Sequence, residues 1–136
     1  MNAVPFIIDR PQIVHRVVRN VVASIVPTAS EAMLFDKNSY RGPQVTAWMR
    51  QVAMYVMHRR FGAGLNKVAK LFARDRSSVL HGVYQVEDAC QDSYLTSAFV
   101  AFVEHQARTL LDDIQATETE TGVLPSEYAS VGGRRG

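Results

Sequence analysis

Asp75, Arg76, Ser77 and Ser78 stand together between two short helical patterns, 66–72 and 76–89, which a three-residue break separates. Those are helix-turn-helix dimensions. In that motif the first residues of the second helix meet base edges in a major groove. The residue types suit the task. An Arg pairs bidentately with guanine O6 and N7, a Ser serves bases and phosphates, and an Asp accepts from cytosine N4. Asp75 is also the expected N-cap of the helix it precedes, a role compatible with base contact. Farther along, Ser77, His81, Tyr84 and Asp88 fall on one outward face by helical spacing. For His81, packing, phosphate contact and simple exposure all remain open.

Other chemistries find little support. His15, His58, His81 and His105 are scattered without metal-ligand spacing, and no Ser-His-Asp set, carboxylate pair or phosphate-cradling glycine loop occurs. Cys90 is the one cysteine, which excludes an internal disulfide. The expectation is therefore no catalytic residue, no metal, no cofactor and no enzyme activity. Trp48 and Tyr55 read as core residues rather than base-stacking platforms.

The elements that must position these residues are helical throughout. Asp9 and Pro11 begin a first helix, in which Ile13, Val14, Val17, Val18, Val21, Val22 and Ile25 recur at helical spacing before Pro27. A breaker-rich connection over 36–43 precedes a helix at 45–61, closed by Gly62-Ala63-Gly64. The two short helices follow. Ser93 then caps a last helix of about five turns carrying Leu95, Phe99, Phe102, Val103, Leu110, Leu111 and Ile114. From Ala116 the pattern fades into Thr, Glu, Ser, Gly and Pro. The fold class expected is all-α, a small helical bundle over 1–115 with a flexible tail over 116–136.

The 136 residues suit one domain, with 47% hydrophobic and 21% charged side chains. Net charge is only +2, which excludes a polybasic coat. Residues 41–88 nevertheless carry eight bases against three acids, and 89–127 carry seven acids against Arg108. Such asymmetry points to one face for a polyanion and another kept from it. No apolar run approaches a membrane span and no secretory leader is visible, so a cytoplasmic, nucleoid-associated protein is expected.

The letters add a resemblance. Arg50-Gln-Val-Ala-Met-Tyr-Val, Leu65-Asn-Lys-Val-Ala-Lys-Leu-Phe and Arg74-Asp-Arg-Ser-Ser-Val-Leu-His-Gly-Val resemble, in order and spacing, the C-terminal DNA-binding domain of the bacterial replication initiator DnaA. The likeness is specific over 48–87 and looser from 10 to 112. It implies that Arg50 enters the minor groove of a DnaA box and that Asp75, Arg76, Ser77 and Ser78 face the major groove. Phosphate contacts would come from Arg41, Asn66, Lys67, Lys70, Arg74 and His81. Departures are equally visible. Arg76 replaces the family's base-reading His, Ser77 and Ser78 its two threonines, and Asn66 its Pro. Tyr84 and Gln85 replace a basic pair, each lost cation removing about one unit of salt slope.

No GxxxxGK[ST] motif occurs, so the resemblance implies a free-standing relative without the initiator's ATPase. The expected function is sequence-selective binding of double-stranded DNA at DnaA-box-like sites, regulating replication initiation or transcription. The alternative is an adaptor that binds the initiator or its regulators without DNA.

Overall fold

The computed structural model describes residues 10–25 and 44–123, and within them five helices and no strand. Helix α1, Pro11–Ile25, begins on a proline, whose missing N–H costs nothing in a first turn. Ile13, Val14, Val17, Val18, Val21 and Val22 are all buried. Valine is a weak helix former, so this helix depends on the surface it covers more than on propensity.

Helix α2, Gln44–Tyr55, runs into a wider π turn over Val56–Arg60, where the Phe61 N–H donates to the Val56 carbonyl five residues back at 3.0 Å. The sequence pattern suggests one regular helix here. Gly62 at φ +81° then turns the chain, and His58 Nδ1 donates to the Ala63 carbonyl at 2.7 Å. The carbonyl can only accept, which fixes the proton on that nitrogen.

Helix α3 is Leu65–Phe72 and α4 is Arg76–Asp92. Between them Ala73 adopts the left-handed conformation at φ 55°, with the Arg74 N–H donating to the Ala69 carbonyl at 3.0 Å. Ser93 ends α4 and starts α5, Tyr94–Thr121: its N–H donates to the Ala89 carbonyl, and its hydroxyl accepts from the Thr96 N–H at 3.2 Å. Among the described residues α2 packs chiefly on α4, and α1 on α5, while α4 touches both α3 and α5. Val52, Val56, Val68, Val79, Val83, Val86, Val100 and Val103 form the shared interior with Met57.

The tail expected from residue 116 does not begin there. The last helix continues to Thr121 and is 28 residues long, about eight turns rather than five. A distant contact accompanies the extension. Arg10, just before α1, donates to Glu118 Oε1 at 2.6 Å, and Gly122 at φ +80° closes the helix with its N–H on the Glu118 carbonyl. The expected breaker-rich connection, Arg41 within it, and residues 124–136 of the expected tail lie outside the described residues. Phe102 is 48% exposed and Leu71 is half-buried. No helix among the described residues is long and apolar enough to cross a membrane.

The α2–α4 contact is tight at one point. A Cβ on Gly82 would lie 3.0 Å from Gln51 Cγ and 3.2 Å from Met54 Cε. Gly82→Leu is expected to cost about 1–3 kcal/mol by overpacking. Urea unfolding checks this, and an unchanged midpoint would show that the helices are not held this close.

Candidate nucleic-acid interface

The start of α4 is built before anything could bind it. Asp75 holds an extended backbone, and its Oδ1 accepts from the Ser78 N–H at 3.1 Å. The Ser78 hydroxyl, and then its N–H, hold the Asp75 carboxyl below the usual carboxylate range. Asp75 is thus an N-cap, as its position suggested. The cap aligns the first turn, where Arg76, Ser77 and Ser78 are all exposed. His81, Tyr84 and Asp88 continue that exposed face along the helix.

Helix α3 flanks it. Asn66, Lys67 and Lys70 are exposed, and Arg74 in the turn is half-buried. Among the described residues Lys67, Lys70 and Arg76 take part in no ion pair. Two other bases of the middle segment have a different fate. Arg59 donates to Glu87 at 2.9 Å and Arg60 to Glu104 at 3.1 Å. Arg108 also binds Glu104, donates to the Arg60 carbonyl at 3.0 Å, and lies 4.6 Å above the Phe61 ring. The basic middle of the sequence therefore divides: part is neutralised by acids of α4 and α5, and part stays available around the two short helices.

Arg50 departs most from expectation. A residue that reaches into a minor groove should stand out from the surface, yet Arg50 is only 5% exposed. It lines a cleft of about 410 Å³ between α2 and the start of α4, together with Gln51, Arg74, Ser77, Ser78 and His81. Burial, and next the positive charge of Arg74, lower its pKa from the ordinary arginine value. The sequence offered no signal for this burial beyond the apolar neighbours of Arg50 on its helix.

No group of three or more His, Cys, Asp or Glu side chains that could hold a metal occurs among the described residues. Cys90 is half-buried on α4, and burial pushes its thiol up. That shift keeps the sulfur protonated and weakens it as a nucleophile.

Residues 20–86 match the family described as the bacterial dnaA protein helix-turn-helix. The match begins inside α1, spans α2 and α3, and ends within α4, so α5 and the first half of α1 lie beyond it. Neither the curated proteins nor the solved structures contain a significant match to the chain. A capped second helix with an exposed, hydroxyl- and arginine-bearing first turn, set three residues after a short lysine-bearing helix, lies inside the matched segment. Residues 20–86 belong to the DnaA helix-turn-helix family, and the chain is a DnaA C-terminal-domain-like protein with the helix-turn-helix of a DNA-binding domain.

Proposed function

We propose that the chain binds double-stranded DNA selectively at DnaA-box-like sites and so regulates replication initiation or transcription. The observation that carries this reading is the first turn of α4, where Arg76, Ser77 and Ser78 are exposed on a backbone already fixed by Asp75. A major groove would receive that turn, with Arg76 reading guanine and the serines serving bases or phosphate. Asn66, Lys67, Lys70, Arg74 and His81 would border the backbone on either side, with Arg41 a further phosphate contact by resemblance. Two acids of α5, Glu104 and Glu118, are turned to Arg60, Arg108 and Arg10. That arrangement leaves the lysines of α3 to meet a polyanion.

Fluorescence anisotropy on a DnaA-box duplex and a scrambled duplex, across a salt series, tests the reading. Tighter binding to the box at every salt is the expected result. Arg76→Ala should lose about 1–3 kcal/mol on the box and relax base preference, whereas Lys70→Ala should weaken both duplexes alike. Equal losses for both variants on both duplexes would remove Arg76 from base reading. The adaptor reading is favoured by one feature, the exposure of Tyr94 and Leu95 at 85% and 78%. A pull-down with purified initiator that survives nuclease, together with no binding to either duplex at low salt, would replace the first reading with that one.

A further inference from the structure

Helix α5 has two apolar sides. Val100, Val103, Ala107, Leu111 and Ile114 form the buried one. Leu95, Phe99, Phe102 and Leu110, at successive spacings of four, three and eight residues, fall on the other. Leu95 is 78% exposed, Phe102 48% and Leu110 36%, and Phe99 is half-buried. Charge does not occupy this stretch of helix. Apart from His105, the ionisable side chains between Tyr94 and Leu110 are Glu104 and Arg108, which bind each other at 2.9 Å while Glu104 also binds Arg60. At one end the stripe opens into a groove of about 220 Å³, lined by Trp48 and Met49 of α2 and by Leu95, Thr96 and Phe99. This side of α5 lies beyond the segment matched to the DnaA family.

Spacing selects the partner. Phe102 stands seven residues after Leu95 and eight before Leu110. Two antiparallel copies of α5, related by a two-fold axis near Phe102, bring Leu95 of each copy opposite Leu110 of the other. The stripe is thus self-complementary, as an isologous contact requires. Leu110 of one copy then reaches the groove beside Leu95 of the other. Charge sets the direction. Asp112 and Asp113 follow the stripe. Antiparallel pairing puts them beside the positive N-terminal end of the other α5, whereas parallel pairing sets them against themselves. Asp92 at that end offsets part of the attraction, so apolar burial has to hold the pair. The stripe is about 22 Å long. With the groove residues, two copies bury on the order of 1,000 Å² in total, the lower edge of a specific interface.

We propose that a second copy of this chain covers this side of α5, giving an antiparallel two-fold dimer centred on Phe102. The dimer is weak in isolation, as its size dictates. Its use on DNA rests on the function proposed above: one dimer carries two α4 helices and so offers two first turns to box-like sites.

Sedimentation equilibrium of the full chain over a concentration series tests the contact without DNA. A dimer with a dissociation constant of about 10–100 μM is expected, nearly indifferent to salt. Phe102→Glu and Leu95→Glu should each weaken it by about tenfold or more, because each sets an uncompensated carboxylate in the contact. Both positions are exposed, and circular-dichroism melts check that the variants fold. Cross-linking gives a second measurement. Leu95→Cys mixed with Leu110→Cys, each with Cys90→Ser, should be joined by a short bis-maleimide as the mixed pair. Joining of Leu95→Cys to itself would overturn the antiparallel arrangement. A chain that stays monomeric at about ten times the expected dissociation constant would overturn the dimer. A dimer that neither glutamate weakens would lie on another face, which overturns the proposal equally. Capture of purified initiator through these residues by an otherwise monomeric chain would give the surface to the adaptor reading. On a single-box duplex Phe102→Glu should bind as the original does, and a loss there with an unchanged dimer would place α5 against DNA instead. Dimerisation by a chain that binds no duplex would uphold the contact and overturn the DNA reading alone.

Discussion

Phe72→Ala is expected to destabilise the protein by about 3–5 kcal/mol, the range for truncating a buried phenylalanine. Phe72 closes α3, is 4% exposed, and meets the His15 ring edge-on with centroids 4.5 Å apart and planes at 78°. It joins the helix-turn-helix to α1, so truncation removes both the ring's own burial and one wall of the His15 site. The left-handed Ala73 follows directly, and a shifted α3 would carry the turn and the start of α4 with it. A domain of this size holds only about 5–15 kcal/mol in all. DNA binding should therefore fall in proportion to the fraction unfolded. Urea unfolding gives the first quantity and anisotropy in matched urea the second. A loss below about 1 kcal/mol would show that α3 is anchored elsewhere.

Acidification should produce the other large effect, through His15. The ring is 8% exposed, and its Nε2 is buried without a hydrogen-bond partner. Burial first, and then the charges of Arg19 and Arg16, lower its pKa from 6.5 to about 3. The unfolded chain titrates near 6.5, so between pH 6.5 and 3 it takes up a proton that the folded protein excludes. Stability then falls as pH drops through that window, by about 1.4 kcal/mol per unit. By pH 5 the loss reaches about 2 kcal/mol, before most carboxylates have titrated. His15→Leu, close in volume and unable to charge, should abolish most of the difference between pH 7 and pH 5. If the variant and the original lose stability equally over that interval, His15 is not the acid-sensitive group.

Local periodicity made most of the scaffold legible. The apolar spacing of α1, the two short helices, and the caps at Asp75 and Ser93 all depend on residues within a few positions of one another. Three features escaped because their causes lie far along the chain. The π turn at Val56–Arg60 is accompanied by Arg108 on the Arg60 carbonyl, 48 residues away. The extra turns of α5 are tied to Arg10, 108 residues away. The cleft around Arg50 needs α4 to lie across α2, which no spacing within α2 reveals. Charge counting likewise found a basic middle but could not tell that Arg59 and Arg60 face acids of later helices. The resemblance supplied candidate roles for Arg50, Arg76 and the serines. Only their placement in three dimensions separates a side chain held in a cleft from one standing in solvent.

The pairing of α1 with α5 has a consequence for the nascent chain. The valine stripe of α1 is complete when residue 25 has been made, whereas α5, which covers it, ends at Thr121. At roughly 5–20 residues per second, about a hundred further residues take on the order of 5–20 s to synthesise. Throughout that interval Val14, Val17, Val18 and Val22 have no α5 to cover them. The helix-turn-helix is finished earlier, at Asp92, so the elements that would meet DNA are made before the partner that seals α1 arrives. A slow translation step within α5 would therefore prolong the sticky phase of synthesis, and ribosome-bound chains stalled there should be the ones captured by holding chaperones.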